Sequence, residues 1–349
     1  MKVAALISGG VDSSTALQLL AQNPEIEVTA FYLKIWLEEE LSFLGDCPWE
    51  EDIHYAQTIC KKLGIALKII PLQTEYRENI VEFALNELRA GHTPSPDIFC
   101  NQRIKFGAFL DRLDRSYDKI ASGHYAQIVC RSGKYLLREA PDPVKDQTYF
   151  LSNLNQEQIA RLVFPIGHLK KYQVRSIAEQ HDIPAKARPD SQGICFLGKI
   201  KYREFVASHL GEQSGDIVEA ETGRIIGRHR GHWFHTIGQR QGLGLSGGPW
   251  YVVKKSPEEN QIFVTHSTLL RTHKRDSFTL RSLHWISEKP QTTTLKVKVR
   301  HGPEKTSCKL SIDGDKALVN INESDNGIAS GQHAVFYNED VCLGGGVIE

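Results

Sequence analysis

The sequence predicts an α/β protein with a doubly wound parallel sheet, followed by two smaller β-rich units. Over residues 1 to about 125, short apolar runs alternate with helical patterns, as in strand–helix–strand units. A glycine turn directly follows the first strand, where a sheet of this kind binds its ligand. From about residue 215, short alternating strands separated by glycine turns replace the helical patterns.

The expected strands of the parallel sheet are short and apolar, and they are Val3–Ile7, Glu27–Leu33, Ala66–Pro71 and Lys119–Ser122. The segments between them have apolar residues three to four positions apart, which predicts helices at Thr15–Gln22, Trp49–Leu63 and Tyr76–Ala90. A hairpin and two helices should follow, at Ala126–Cys130 with Tyr135–Arg138, Gln156–Leu162 and Gln173–His181. We therefore expect a first unit over residues 1–205, with a helical part at about 153–185.

Two β units are expected after it, at residues 206–272 and 273–349. The first is predicted by four short strands, Asp216–Glu219, Arg224–Arg228, Trp250–Lys255 and Gln261–Thr265. The second alternates between apolar and polar residues in Thr294–Arg300 and Ala317–Ile321, which predicts a small β-barrel. Lys296, Lys298 and Arg300 should share one strand face. This basic face is either solvated or in contact with an anionic partner.

The bulk composition is that of an ordinary globular protein, with 349 residues and a formal net charge of zero. Overall charge therefore does not indicate a nucleic-acid partner, and any such site must be a local basic patch. No apolar run reaches the roughly 18 residues of a membrane span, and no signal peptide precedes the first strand. We expect a cytoplasmic protein without a membrane partner.

The stretch Ser8–Ser14 connects the first strand to the first helix. Gly9 and Gly10 allow a sharp turn and the close approach of a ligand. The turn presents N–H groups at a helix N-terminus, an arrangement that binds anions and most often phosphate. It lacks the Lys-Ser/Thr ending of a Walker A loop, so it suits a pyrophosphate that leaves while the substrate attacks the α-phosphate. The alternative is a helix-capping turn without a ligand.

The seven cysteines are widely spread and include no C-x-x-C pair, which argues against a disulfide framework and a structural zinc site. Cys100 and Cys195 differ from the others because each lies in a polar, turn-rich stretch. Cys100 is expected near a helix N-terminus with Arg103 and Lys105 close in sequence, and these features lower the pKa of a thiol. Two reactive thiols in a reducing compartment would indicate transient disulfide or sulfur-transfer chemistry. Cys47 stays undecided, and four cysteines are expected to be structural: Cys60, Cys130, Cys308 and Cys342.

Seven motifs, in the same order along nearly the whole chain, resemble those of the tRNA-specific 2-thiouridylases. These are ATP-dependent enzymes that thiolate the wobble uridine of certain tRNAs, and their phosphate turn is that of the ATP-pyrophosphate-lyase superfamily. The motifs are Ser8–Ser14, Pro96-Asp97 with Cys100-Asn101, Gly123–Tyr125, Lys145–Gln147, Gly193–Phe196, Thr236–Arg240, and Gly331-Gln332 with Phe336-Tyr337. The resemblance implies an adenine-nucleotide α-hydrolase-like fold for the first unit.

The resemblance also implies a role for each motif. Residues that would bind ATP are Leu6, Ile7, Ser8, Gly9, Gly10, Val11, Asp12, Ser13, Leu33 and Gly123. Residues that would bind tRNA are Ser95, Pro96, Asp97, His124, Lys145, Asp146, Gln147, Arg300, His301 and Gln332. Asp97 would act as general acid or base, Cys100 as nucleophile and Cys195 as carrier of the sulfur in a persulfide. The two thiols would form a transient disulfide, and Mg²⁺ would bind through ATP without a metal site of its own.

The implied reaction adenylates the C2 oxygen of the wobble uridine in tRNAs of the Lys, Glu and Gln type, and then transfers sulfur from a cysteine persulfide. A persulfide donor, either a cysteine desulfurase or a sulfur-relay protein, would be a partner. Ser95 and His301 depart from the family pattern, which usually has asparagine and tyrosine at these positions. His229, His232 and His235 lie close together, but no carboxylate or thiol joins them, so we expect a solvated or RNA-facing stretch and no metal site.

Two other functions stay open. An amidotransferase or ligase of the same superfamily, such as an argininosuccinate synthase-like enzyme, needs no pair of reactive thiols. An RNA-binding adaptor without catalysis needs neither the thiols nor an intact phosphate turn. The presence of Ser8–Ser13, Asp97 and both cysteines argues against the adaptor.

Overall fold

The structure is a computed structural model that describes residues 1–35, 48–190 and 201–349. Cys47 lies outside the described residues, and so does the whole Gly193–Phe196 motif with Cys195. Within the described residues, no helix has the length and apolar character needed to cross a bilayer.

The first unit contains a five-stranded parallel sheet, which confirms the predicted fold class. Its strands follow the order β3-β2-β1-β4-β7. They are β1 (Lys2–Leu6), β2 (Glu27–Lys34), β3 (Leu67–Pro71), β4 (Lys119–Ala121) and β7 (Leu162–Val163). A hairpin of β5 (Gln127–Arg131) and β6 (Lys134–Arg138) lies between β4 and β7 in the chain. Val3 and Ala4 of β1 are fully buried, because helices cover both faces of a parallel sheet.

Seven helices are assigned among the described residues. The regular ones are α1 (Val11–Ala21), α2 (Pro48–Leu63), α5 (Gln156–Ala160), α6 (Lys171–Gln180) and α7 (Tyr202–Leu210). Helix α3 spans residues 73–89 and is widened into a π-helix over Arg77–Val81. Helix α4 spans residues 96–112 and is a π-helix over Cys100–Ala108. Short 3₁₀ turns occur at Thr148–Leu151, His232–Phe234 and Leu270–His273.

The middle unit is a four-stranded sheet in the order β10-β11-β8-β9. Its strands are β8 (Gly215–Glu219), β9 (Ile225–His229), β10 (Trp250–Ser256) and β11 (Gln261–His266). Their bounds differ from the predicted strands by one residue at most. His229, His232 and His235 are only 3–5% exposed, so the prediction of a solvated or RNA-facing stretch is wrong. Burial holds their pKa values low, to about 4 for His232 and about 3 for His235.

The C-terminal unit is a closed six-stranded antiparallel barrel, as predicted. The strands are β12 (Arg275–Trp285), β13 (Thr294–Lys298), β14 (Thr306–Asp313), β15 (Lys316–Asp325), β16 (His333–Asn338) and β17 (Val341–Ile348). Pairing of β12 with both β15 and β17 closes the barrel. Leu295 and Val297 of β13 face its core, whereas Lys298 points to the outer face of the barrel, where the first unit covers it, and is 3% exposed. Lys298 thus lies on the strand face expected for it, but it is buried against Asp146, so the expected face is not solvated at Lys298.

The first and last units share one sheet. Strand β6 pairs antiparallel with β17 through Leu137 and Cys342, so the β5–β6 hairpin extends the barrel sheet. One hydrophobic core also runs through all three units, from Ala4 of β1 to Trp233 of the middle unit and Val335 of the barrel. The three units are therefore packed together by backbone pairing and by a common core.

The four cysteines expected to be structural differ in burial. Cys60, Cys308 and Cys342 are buried, as expected, and burial raises their pKa values to about 11, 12 and 12. Their thiols are protonated at neutral pH and unreactive. Cys130 is exposed on the outer strand β5, so its expected structural role through burial is wrong.

Candidate active site

The Ser8–Ser14 turn lies where β1 ends. Strand β1 pairs in parallel with β2 on one side and with β4 on the other. The order of the strands reverses at this point, and ligands of open α/β sheets bind in the crevice beyond the carboxyl ends of the strands at such a reversal. The topology therefore places the predicted phosphate turn at the expected ligand site of the sheet.

The geometry of the turn explains its small residues. Gly9 has a φ of +74°, and a Cβ there would lie 2.2 Å from the carbonyl oxygen of Asp52 in α2. Gly10 is the N-cap of α1. The Ser13 hydroxyl accepts a hydrogen bond from the Ser8 amide (3.2 Å) and donates one to the Gly10 carbonyl (3.1 Å). The first-turn N–H groups of α1 have no intrahelical partners, so the turn presents donors for an anion.

Two basic side chains from distant parts of the chain lie against this turn. Lys171, the first residue of α6, places its Nζ 2.8 and 2.9 Å from the carboxylate oxygens of Asp12. Arg188 donates to the Gly9 carbonyl (3.0 Å) and to Asp52 (2.8 Å). Neither residue is predictable from the sequence, since nothing in their local pattern relates them to a turn that lies more than 150 positions earlier. They supply the positive charge that the turn lacks.

Asp190 connects the turn to Lys145. Its carboxylate contacts the amines of Lys145 (2.6 Å) and Lys171 (2.7 Å) and the guanidinium of Arg175 (2.6 Å). Burial works to raise the pKa of Asp190, but the hydrogen bonds from Lys145 and Lys171 outweigh it and hold that pKa below its usual range. Lys145, expected to contact tRNA, is thus part of an ion-pair cluster beside the phosphate turn.

Leu33 and Gly123, the expected adenosine contacts, both lie at the carboxyl ends of the parallel strands, near the phosphate turn. Leu33 is half-buried near the end of β2. A Cβ at Gly123 would lie 2.7 Å from the Ser13 amide nitrogen and 2.9 Å from the Asp12 carbonyl carbon. Glycine is therefore required there for the end of β4 to pack against the start of α1, a reason that the sequence did not reveal.

Cys100 lies in the first part of α4 and is 1% exposed. Pro96 opens the helix, and Ser95 is its N-cap. The guanidinium of Arg103 lies 4.4 Å from the Phe99 ring centroid and donates to the Asn79 carbonyl (3.2 Å). The thiol is thus in the N-terminal part of a helix, as expected, but inside the protein.

Aromatic and polar groups from the barrel and from the 3₁₀ turn at Thr148–Leu151 surround this part of α4. The Tyr149 phenol donates to the His333 carbonyl (3.0 Å) and is also hydrogen-bonded to Ser95. The His333 ring lies 5.2 Å from the Phe99 ring. The amide of Asn101 donates to the Phe150 carbonyl (3.0 Å). These contacts bring the Pro96–Asn101 motif of the first unit next to the Gly331-Gln332 motif of the barrel.

Three buried polar atoms around Cys100 have no hydrogen-bond partner among the described residues. They are Oδ1 of Asn101, Oε1 of Gln332 and Nδ1 of His333. Burial lowers the pKa of His333 to about 4, so its ring is neutral at pH 7. Unpaired buried polar groups are rare in proteins and call for an explanation. A polar ligand bound beside Cys100 would satisfy them.

The expected tRNA-binding residues differ in how accessible they are. His301 is exposed and stacks on Phe150 with ring centroids 4.5 Å apart. Arg300 is exposed but forms two bonds to Asp325, at 2.9 and 2.7 Å. Gln147 accepts a bond from the Tyr125 amide (2.9 Å). Asp146 is 2% exposed and contacts Lys298 of the barrel at 3.1 Å. A direct contact between the Asp146 carboxylate and tRNA therefore does not fit this structure.

His124 and Asp97 differ in the groups that surround their side chains. His124 bonds to the Ser122 hydroxyl (2.8 Å) and packs between the rings of Phe106 and Phe164. Burial, with a smaller effect from Lys105, holds the pKa of His124 well below its usual value. Asp97 is half-buried in the first turn of α4. His124 is therefore a neutral side chain, which suits a contact with a base better than a contact with a phosphate.

No group of three or more His, Cys, Asp or Glu side chains is arranged to hold a metal ion in the part of the chain that the structure describes. The Asp12 carboxylate at the phosphate turn is an oxygen donor of the type that Mg²⁺ prefers, and such an ion is usually bound by one or two carboxylates together with substrate phosphates. The residues present thus fit an ion carried by a nucleotide.

Curated relatives match the chain over its whole length. It is 45% identical to the tRNA-specific 2-thiouridylase MnmA 1 of Bacteroides thetaiotaomicron, covering 100% of this chain and 99% of the relative. It is 44% identical to the proteins named tRNA-specific 2-thiouridylase MnmA of Parabacteroides distasonis and Porphyromonas gingivalis, again over 100% of this chain and 99% of theirs. The chain belongs to the tRNA-specific 2-thiouridylase family.

Three family models divide this 2-thiouridylase family member in chain order. They are described as tRNA methyl transferase HUP domain (residues 1–199), tRNA methyl transferase PRC-barrel domain (203–266) and aminomethyltransferase beta-barrel domain (275–348). Among solved structures, the U34-tRNA thiolase NcsA from Methanococcus maripaludis has 19% identity and a TM-score of 0.36, over 60% of this chain and 64% of that chain. The resemblance found in the motifs of this family member is confirmed by its full-length relatives.

Proposed function

We propose that this chain is an ATP-dependent sulfurtransferase that replaces the C2 oxygen of the wobble uridine with sulfur in tRNAs of the Lys, Glu and Gln type. One observation carries the proposal: the phosphate turn and the surroundings of Cys100 lie on connected elements. The Phe106 ring of α4 packs on His124 at 5.8 Å. The adjacent Gly123 packs directly on the turn at Ser13. The helix that carries Cys100 is thus packed on the element that supports the phosphate turn, as a shared site for a base and a nucleotide would require.

The turn supports adenylation as the first step. The uracil C2 oxygen is a poor leaving group, so it attacks the α-phosphate of ATP and pyrophosphate leaves. The ATP-binding residues are those of the turn, Leu6 to Ser13, with Leu33 and Gly123 beside the adenosine. Mg²⁺ carried by the nucleotide would offset the charge of the leaving pyrophosphate. Lys171 and Arg188 add fixed positive charge at the same place.

Sulfur transfer follows on Cys195 and Cys100. In one route, the terminal sulfur of a Cys195 persulfide attacks C2 and AMP leaves. The Cys100 thiolate then attacks the Cys195 sulfur, which releases the thiocarbonyl and forms a Cys100–Cys195 disulfide. In the other, Cys100 first attacks the persulfide, and the released sulfide attacks C2 and displaces AMP. Either route ends in the same disulfide, which a thiol reductant must reduce before the next cycle.

Several residues around Cys100 suit recognition of the base. The unpartnered Oε1 of Gln332 and Oδ1 of Asn101 can accept hydrogen bonds from the uracil. Ser95, Pro96 and Asp97 begin the helix that carries Cys100, and Asp97 would act as general acid or base. The exposed His301–Phe150 stack can receive an adjoining base. The wobble uridine would have to leave its stack to reach a thiol that is 1% exposed.

Two family models have methyl transferase in their descriptions. A turn that presents helix N-terminal amides and basic side chains favours a phosphorylated cosubstrate, and a sulfonium methyl donor without phosphate would make no use of it. This favours ATP, the cosubstrate that the family motifs imply, over a methyl donor. A persulfide donor, a cysteine desulfurase or a sulfur-relay protein, would load Cys195. We place the reaction in the cytoplasm, where thiols that alternate between reduced and disulfide forms are reset.

The test is nucleoside mass spectrometry of unmodified glutamate, lysine and glutamine tRNAs after incubation with ATP, Mg²⁺ and a persulfide source. Wild type should form 2-thiouridine, and Cys100→Ser and Cys195→Ser should form none. Cys130→Ser is the matched control, because Cys130 is an exposed thiol on β5, and it should thiolate at the wild-type rate. AMP formation with another acceptor and no thiolation by wild type would instead make the chain an adenylating ligase.

A further inference from the structure

A cavity of about 270 Å³ lies where the three units of the chain meet. The loop after α3 forms one wall through His92 and Thr93, strand β10 forms the second through Lys254 and Lys255, and the barrel forms the third. The volume is below the roughly 300–1,000 Å³ of pockets for drug-sized ligands. It suits one small group or part of a polymer better than a whole nucleotide.

Positive charge dominates the lining. Lys254, Lys255 and Arg275 line the cavity, and none of the three has a carboxylate within 4.0 Å among the described residues. The other charged or titratable lining residues are already paired. Asp325 binds Arg300 through both oxygens, His273 contacts Glu221 at 2.8 Å and His92 contacts Glu87 at 2.9 Å.

Among the three cations, Lys255 gives the strongest indication that an anion binds in the cavity. It is half-buried, and its Nζ donates to the His235 carbonyl at 3.0 Å. Removal from water lowers the pKa of Lys255 to about 8, with no carboxylate to compensate. Placing a cation in such a site is costly unless an anion completes it. Arg275 adds a second cation on the opposite wall, in a chain whose net charge is zero.

The cavity adjoins the proposed base site. The Thr93 amide donates to the Ser330 carbonyl at 2.7 Å, and the Thr93 hydroxyl bonds to that of Thr236 at 3.2 Å. Thr93 lies two residues before Ser95, and Ser330 lies two residues before Gln332. An anion in the cavity would therefore be next to the nucleotide whose base lies near Cys100.

We propose that this cavity binds a phosphate group, and that in the working enzyme it is a backbone phosphate of the tRNA close to the wobble uridine, held by Lys255 and Arg275. The inference deepens the proposed function and rests on it for the identity of the RNA. It also supplies a phosphate contact in place of the basic strand face expected from the sequence, where Lys298 is buried and Arg300 is paired. A free phosphate-bearing metabolite has the same chemistry and is distinguished by the test.

The test measures the Kd of the full chain for unmodified glutamate tRNA at several salt concentrations. Each phosphate contact that is lost should reduce the slope of log Kd against log salt by about 0.7–0.9. Lys255→Met and Arg275→Gln should each weaken binding several-fold, and the double variant should lose about one unit of slope. Thiolation at saturating tRNA should stay close to wild type, because the cavity holds no group of the proposed chemistry.

Lys61→Met is the matched control, since Lys61 is an exposed lysine on α2, away from the cavity; its Kd and slope should equal those of wild type. A second arm titrates inorganic phosphate and AMP without RNA and follows the thermal midpoint. Stabilisation of wild type that is absent in the double variant, combined with a wild-type Kd and salt slope of that variant for tRNA, would assign the cavity to a free phosphate compound.

Folded variants with wild-type Kd, slope and phosphate response would overturn the inference. Lys255→Met loses the hydrogen bond to the His235 carbonyl and can therefore destabilise the protein. Arg275→Gln still tests the inference in that case, because Arg275 is exposed and its replacement should not affect folding. If wild type itself neither binds nor thiolates tRNA, the proposed function fails. If wild type does both and the variants keep the wild-type slope, only the cavity inference fails.

Discussion

Single residues acquire their chemistry here from partners far away in the chain. The phosphate turn contributes amides, hydroxyls and one carboxylate, while the cations come from Lys171 and Arg188. Lys171 is 15% exposed and contacts both Asp12 and Asp190. A triphosphate bound on the turn would bring more negative charge to the same amine, and we expect Lys171 to contact it as the lysine of a Walker A loop does.

Replacing Lys171 with methionine should therefore impair adenylation. A hydrogen bond to a charged group contributes about 1.5–3 kcal/mol, so kcat/KM for ATP should fall about 10- to 100-fold. The measurement is tRNA-dependent release of pyrophosphate at varied ATP. Lys170→Met, one residue earlier and exposed, should behave as wild type. If Lys171→Met released pyrophosphate as fast as Lys170→Met, Lys171 would only neutralise the charges of Asp12 and Asp190.

At the scale of secondary-structure elements, the loop that carries Lys145–Gln147 is fixed to the barrel by a buried ion pair. Lys298 of β13 contacts Asp146 at 3.1 Å and Glu139 at 3.4 Å, and both Lys298 and Asp146 side chains are 2% exposed. The Thr148 hydroxyl donates to Asp146 at 2.7 Å. The pair fixes the loop to the barrel, which explains why a charged residue is buried at the contact between the first unit and the barrel.

Breaking this pair should destabilise the protein more than removing both charges. Lys298→Met leaves the buried Asp146 carboxylate without its cation and should lower the free energy of unfolding by about 3–5 kcal/mol. Asp146→Asn should cost less, because Glu139 still lies 3.4 Å from the Lys298 amine. The double variant should lose clearly less than the sum of the two. Urea unfolding followed by tryptophan fluorescence measures this, with the exposed Lys296→Met as control. Additive losses would mean that the two side chains act independently.

At the scale of the whole molecule, buried neutral histidines occur in all three units. Burial lowers the pKa of His124 in the first unit, of His229, His232 and His235 in the middle unit and of His333 in the barrel. The unfolded chain binds protons at these groups near pH 6.5, and the folded chain does so only at lower pH. Acidification therefore favours the unfolded state.

The thermal midpoint should accordingly fall as the pH is lowered from 7 to 5. Each histidine of this kind makes the free energy of unfolding fall by up to about 1.4 kcal/mol per pH unit below pH 6.5. His235→Gln removes one of them, the one with a pKa of about 3, and should make the midpoint less sensitive to pH. Scanning calorimetry from pH 7 to 5 tests this, and equal slopes for the two proteins would contradict it.

Elements with a strong local pattern were predictable. Strand β2 was expected at Glu27–Leu33 and is observed at Glu27–Lys34, because the central part of a strand that is covered on both faces is a mostly apolar run. Helix α1 was expected to begin at Thr15 but begins at Val11, since the polar residues of a first turn carry no apolar period. The roles given to Asp97, Cys100 and Cys195 stay predictions, and Cys195 lies outside the described residues.

The glycine turn, the parallel sheet, the barrel and the family were predictable from the sequence, because local patterns of glycines, apolar residues and short motifs indicate each of them. The tertiary structure decided which charges meet. It buried Lys298 against Asp146 and brought Lys171 to Asp12. It also extended the barrel sheet with the β5–β6 hairpin and gathered Lys255 and Arg275 around one cavity. These pairings depend on the packing of segments that are distant in sequence, and local periodicity carries no information about such contacts.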